Sequence, residues 1–77
     1  MNLQDKGHYW DRETQRRVVR IKELTRIVGL SRSTIYNKLN PKSKGYDPEF
    51  PKPLRLGAAS VGWLLSSVDQ WLISRIN

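Results

Sequence analysis

The spacing of hydrophobic residues predicts a short strand followed by a helix in the first half of the chain. Val18-Val19-Arg20-Ile21 is a β-favouring run. The following apolar residues recur at three- and four-residue steps and predict one buried helical face over 22–28: Ile21, Leu24, Ile27 and Val28. Gly29 comes directly afterwards, where a left-handed glycine is expected to end the helix.

A second short helix is predicted immediately after this glycine. Ser31 has a hydroxyl that accepts readily from a free amide of the next turn, so it is the expected N-cap. The helix continues to about Leu39 and stops before Pro41, because the residue preceding a proline disfavours the helical conformation. With Ile35 and Leu39 facing inward, Ser33 and Asn37 point outward, at about 100° per residue.

The region after the second helix has the alternation of a β-hairpin. The segments FPKPLRL and SVGWL predict two strands, which Gly57-Ala58-Ala59 joins. Pro51 and Pro53 indicate that the first strand is an edge strand or enters one. Trp63 falls on the inward period of the second strand, and we expect it in the core.

The chain is expected to end in an amphipathic helix. Ser66, with Asp69 three residues later, resembles a capping box, so the helix should begin there. One apolar stripe follows, and it contains Val68, Trp71, Leu72 and Ile76.

These elements predict a mainly α fold with a small β-hairpin, the order of a winged helix-turn-helix. In that arrangement the second helix can lie in the DNA major groove and the hairpin is the wing. Residues 18–77 would form this domain. Residues 1–17 are polar and lack either period, so we expect a flexible basic arm, in which the role of Trp10 is open.

The charge of the chain favours a polyanionic partner. The net charge is +7, with 14 basic and 7 acidic residues, whereas residues 61–77 contain one of each and are neutral. A basic side and a neutral side favour nucleic acid over anionic membranes and acidic proteins. The aromatic residues fall on core positions, which favours DNA over RNA.

Catalysis is not expected from this inventory of residues. An enzyme needs a nucleophile with its base, paired carboxylates or a metal site, whereas this chain has one histidine, His8, and no cysteine. A domain this short encloses no deep pocket, so we expect no small-molecule ligand, cofactor or metal. The start predicts no signal peptide, and no apolar run approaches the roughly 20 residues that cross a bilayer. We therefore expect a cytoplasmic protein without a membrane partner.

Two long segments resemble the AlpA-type prophage regulatory proteins: VRIKELTRIVGLSRSTIYNKL and FPKPLRLGAASVGWLLSSVDQWL. The resemblance covers about residues 18–76, and LSRSTIY, FPKP and VGW are its most specific parts. Such proteins are short winged-helix DNA-binding proteins, related to phage excisionases and more distantly to the MerR-type domain. The resemblance implies that Arg32–Leu39 reads DNA, that the wing at about Pro51–Leu64 contacts the neighbouring backbone, and that the role is control of integrase genes or assistance in excision.

The candidate DNA-binding residues lie on this helix and wing. Asn37 can pair with adenine, and Arg32 can reach a guanine edge or a phosphate. Ser31 is more readily a cap than a reader, and for Tyr36 a phosphate contact and packing against the wing both stay open. Lys42 and Lys44 join Lys38 as backbone neutralisers. The full candidate set is Ser31, Arg32, Ser33, Thr34, Tyr36, Asn37, Lys38, Lys52 and Arg55.

Two departures from the family pattern affect the wing. The stretch between Tyr36 and Phe50 is longer than in the shortest relatives, and Ala59 stands where many relatives have an arginine, so no charge is expected at the tip. Two other functions stay open: an excisionase-type factor that bends DNA, and a module that blocks an integrase or polymerase without reading DNA. Because one reading helix specifies few base pairs, we expect two or more copies on repeated or inverted half-sites.

Overall fold

The structure is a computed structural model that describes residues 16–76. Its elements in chain order are β1 (Val18–Val19), α1 (Ile21–Val28), α2 (Arg32–Leu39), β2 (Leu54–Arg55), β3 (Val61–Leu64) and α3 (Leu65–Ser74). The predicted fold class is confirmed: these residues form a mainly α domain with a β-hairpin after two helices. Most of the predicted arm, with His8 and Trp10, lies outside the described residues.

The helix-turn-helix forms as its glycine and serine predict. Gly29 takes a left-handed conformation, with φ 72°, and its amide donates to the Thr25 carbonyl. Ser31 caps α2, and its hydroxyl accepts from the Thr34 amide at 3.1 Å. One boundary differs, since β1 ends at Val19 and Ile21 already belongs to α1. The apolar side chain of Ile21 packs against the core from the helix, which outweighs its preference for a strand.

Three antiparallel strands form a sheet in the order β1-β3-β2. Leu54 pairs with Gly62 in the hairpin, and Val19 pairs with Trp63 on the other side of β3. A glycine is required at position 62, because an added Cβ would lie 2.5 Å from a Val18 methyl group. The sheet therefore depends on a close approach in its central strand.

The first wing strand is shorter than predicted. β2 contains only Leu54 and Arg55, whereas Phe50 and Pro51 lie buried before it. Trp63 explains the difference, since its indole donates to the Pro51 carbonyl at 3.1 Å and holds this segment against the core. Pro51 and Pro53 have no amide to donate to a sheet, so the strand begins after them, as their pattern predicted.

The predicted capping box does not start the last helix. α3 begins at Leu65 with Leu64 as an apolar N-cap, because β3 runs directly into the helix. The helix ends at Ser74, so Ile76 lies beyond it and is 74% exposed instead of completing the apolar stripe. Val68 and Trp71 are buried as expected.

The hydrophobic core is assembled from both halves of the chain. Its buried members are Val19, Leu24, Ile35, Phe50, Trp63, Val68 and Trp71. The prediction that Trp63 and Trp71 belong to the core is confirmed, and Leu39 packs against it from the end of α2. Within residues 16–76, no helix is both long and apolar enough to cross a membrane.

Candidate nucleic-acid interface

The outer face of α2 is polar and accessible. Ile35 is fully buried and fixes the helix to the core, and Arg32, Ser33 and Asn37 are exposed on the outer side. Tyr36 is also 47% exposed, so part of its side chain is accessible. The direction that helical geometry predicted for Ser33 and Asn37 agrees with this exposure. The polar side chains of Arg32, Ser33 and Asn37 are therefore accessible on one face of α2.

Ser31 and Thr34 form hydrogen bonds with each other at the N-terminal end of α2. Besides accepting from the Thr34 amide, the Ser31 hydroxyl lies 3.0 Å from the Thr34 hydroxyl. This cap gives one of the first amides of α2 a partner, which stabilises the helix end. Arg32 and Ser33 lie between the two capping residues and remain exposed.

Lys38 is drawn toward the core. It is half-buried, and its ammonium lies 5.5 Å from the centre of the Trp71 ring. Its carbonyl accepts from the Asp47 amide at 2.9 Å, which ties the end of α2 to the following loop. From the sequence, Lys38 was predicted to contact a phosphate of the DNA backbone. The structure shows in addition that its ammonium makes a cation–π contact with the Trp71 ring.

The loop after α2 is ordered by short-range hydrogen bonds. The Asn40 side chain accepts from the Lys42 amide at 3.0 Å, and the Ser43 hydroxyl accepts from the Gly45 amide at 3.1 Å. Backbone bonds from Ser43 to Asn40 and from Tyr46 to Ser43 add two further turns. The exposed residues Lys42 and Lys44 therefore project from a folded loop.

Asp47 connects this loop to α3. Its carboxylate accepts from the Trp71 indole at 3.0 Å and forms an ion pair with Arg75. Burial alone would raise its pKa, but the Glu49 amide, the Trp71 indole and the charges of Arg75 and Lys38 together hold the pKa of Asp47 below its ordinary value. Sequence reasoning missed this residue, because its partners lie 24 and 28 positions away.

The wing is closed by backbone hydrogen bonds and carries one cation near its tip. The Leu56 amide donates to the Ser60 carbonyl at 2.8 Å, and an Arg55 guanidinium nitrogen lies 3.4 Å from the Ala58 carbonyl. The turn residues themselves are uncharged, and Arg55 in β2 is the cation that reaches back toward them. Lys52 is exposed and precedes the strand.

The two helices with their tight turn, and the hairpin that follows, define a winged helix-turn-helix module. The sequence model of one family, the prophage CP4-57 regulatory protein (AlpA), matches residues 17–76. The match covers most of the chain, which therefore belongs to this family.

Two curated relatives are similar to the chain. The DNA-binding transcriptional activator AlpA of Escherichia coli K12 is 46% identical over 59 residues, which are 77% of this chain and 84% of the relative. An uncharacterized protein, ORF88, of Enterobacteria phage P4 is 44% identical over 63 residues, or 82% of this chain and 65% of the phage protein. No solved structure matches the chain.

Proposed function

We propose that this protein is a sequence-specific DNA-binding regulator of transcription that acts on prophage or mobile-element genes. The observation that carries the proposal is the exposed polar face of α2, held outward by the buried side chain of Ile35. The name of the E. coli relative, a DNA-binding transcriptional activator, supports the same class of function. Such a regulator works on double-stranded DNA in the cytoplasm and needs no catalytic group.

α2 reads the major groove, and its residues divide into two kinds of contact. Asn37 pairs with an adenine edge, and Arg32 and Ser33 contact bases near the start of the helix. The other candidates position the protein on the DNA backbone, where contacts carry little sequence information. These backbone contacts come from Ser31, Thr34, Tyr36 and Lys38 on α2, and from Lys52 and Arg55 on the wing.

Two or more copies are expected on one operator. A single short helix reaches only a few base pairs, and specificity in a genome requires more. We expect repeated or inverted half-sites, each occupied by one copy, in the DNA upstream of the regulated genes.

The test is a footprint on the DNA upstream of the protein's own gene, followed by titrations of that site. Asn37→Ala or Arg32→Ala should weaken specific binding by about 1–3 kcal/mol and non-specific binding by less, because bidentate base contacts are lost. Gln70→Ala is the matched control, since it removes an exposed amide from α3. Unchanged specific affinity in both α2 variants would refute the assignment of the reading helix. Binding to a protein partner that does not weaken with salt, without any DNA footprint, would favour an interaction module.

A further inference from the structure

A basic groove lies beside the C-terminal end of α2. It runs between the ordered loop and the end of α3, and three cations line it: Lys38, Lys44 and Arg75. Asp47 is the acidic residue of the groove, and it is already ion-paired with Arg75. The groove is therefore positive after this pairing, although Arg75 belongs to a segment that is neutral overall.

The groove adjoins the face of α2 that we assign to base reading. Gly45, in its wall, lies next to the reading helix, and an added Cβ would be in van der Waals contact with the Cβ of Asn37, at 3.5 Å. Asn37 is exposed, and so is Lys44, which directly precedes Gly45 in the chain. DNA in contact with Asn37 would consequently pass close to the groove.

Side-chain contacts and hydrogen bonds hold the residues that form the groove. The Arg75 guanidinium carbon lies over the Trp71 ring, 4.7 Å from its centre. The indole of the same tryptophan donates a hydrogen bond to Asp47. A guanidinium has five N–H donors, so its ion pair with Asp47 leaves others for a second acceptor. The Ser43 side chain fixes the turn that presents Lys44.

We propose that this groove binds a backbone phosphate of the DNA duplex, through Lys44 and Arg75. The inference rests on the proposed function and adds a third contact region to the reading helix and the wing. The N–H groups of Arg75 that Asp47 does not use can donate to phosphate oxygens, and the ammonium of Lys44 adds a second positive charge. The loop thus extends the footprint past the C-terminal end of α2, and Arg75 is a DNA-contacting residue.

The test is a binding cycle between Lys44 and single phosphates of the specific duplex. Each phosphate is replaced in turn by a neutral methylphosphonate, and affinity is measured for wild type, Lys44→Ala and the charge-retaining control Lys44→Arg. Lys44→Ala should lower the salt slope of log K by about 0.9, so that the loss of affinity between 50 and 200 mM salt becomes about threefold smaller. Lys44→Arg should keep the wild-type slope.

The position of the coupled phosphate is the decisive readout. Lys44→Ala and the methylphosphonate should be non-additive at one or two adjacent phosphates, within about three nucleotides of the base pair at which Asn37→Ala relaxes specificity. Arg75→Gln should couple to the same phosphates; partial unfolding would instead weaken binding to all duplexes alike. Full additivity at every phosphate would overturn the groove assignment. If Asn37→Ala still relaxed specificity in that case, the proposed function would stand, whereas failure of the wild type to bind any duplex would remove both.

Discussion

The long loop 40–53 and the wing turn 56–60 are both connections without regular structure, but they are held in different ways. The loop is fixed at several points: Asp47 contacts α2 and α3, Phe50 is buried, and the Pro51 carbonyl accepts from Trp63. The wing turn is exposed and is closed by bonds between Leu56, Gly57 and Ser60.

This contrast shows that length and polarity are poor guides to which connection is ordered. The loop has the glycine, prolines and lysines of a mobile segment, yet its side chains and three aromatic residues of the core hold it in place. Phe50 meets Trp71 edge-on, with ring centres 4.9 Å apart. The loop therefore presents its cations from an ordered backbone, and Arg55 is the cation nearest the turn of the wing.

Removing the aromatic anchor of the loop should have the largest effect. Trp71→Ala should destabilise the fold by about 3–5 kcal/mol, because the ring fills the core and contacts Phe50, Asp47 and Arg75. Ile76→Ala is the control, since this nearby apolar residue is exposed and should change stability by less than about 0.5 kcal/mol. Denaturant titrations followed by circular dichroism would measure both. Equal midpoints for wild type and Trp71→Ala would mean that the anchor does not hold the domain together.

Removing the carboxylate of Asp47 should have a smaller, pH-dependent effect on stability. Because the folded pKa of Asp47 is lowered, its contribution is present above the unfolded value of about 3.9 and is lost as the pH falls through the folded pKa. Asp47→Asn should therefore cost about 1–2 kcal/mol at neutral pH, and its stability should approach that of the wild type in acid. Thermal melts at several pH values would measure this.

Glu49→Gln provides the matched control for that comparison. Glu49 is an exposed carboxylate of the same loop, two residues from Asp47. The wild-type difference between neutral and acidic pH should persist in Glu49→Gln and shrink in Asp47→Asn. Parallel pH profiles for all three proteins would contradict the role of Asp47.

A substitution at the wing tip should have the smallest effect on the fold. Ala59→Arg adds a cation to an exposed turn, so it should change the free energy of unfolding by less than about 0.5 kcal/mol. It should tighten specific and non-specific DNA binding by similar factors and steepen the salt slope by about 0.9, through one more neutralised phosphate. An unchanged affinity and slope would mean that the tip faces away from the duplex.

Local patterns predicted the parts of the fold that depend on neighbouring residues. The apolar steps of α1, the left-handed Gly29 and the Ser31 cap each involve partners within one helical turn, and each is found in the structure. The start of α3 was mispredicted, because the continuity from β3 into Leu65 outweighs the Ser66–Asp69 pattern. Tertiary packing decides such boundaries.

The candidate site was predictable only in part for the same reason. Helical geometry placed Ser33 and Asn37 on the free face, because the buried position of Ile35 fixes the rotation of α2. The groove of Lys44 and Arg75 joins residues 31 positions apart through Asp47 and Trp71. The spacing of residues along the chain therefore could not predict that Lys44 and Arg75 line the same groove.

A titration of the labelled protein with its footprinted duplex would show directly whether the outer face of α2 contacts the DNA. Backbone amide shifts measured by NMR should change most over Arg32–Asn37, with a second group at Lys44 and Gly45. The amides of Arg20, Lys22 and Arg26, around the start and outer side of α1, should change less. The largest shifts around α1, with α2 unaffected, would mean that a different face of the domain binds the DNA.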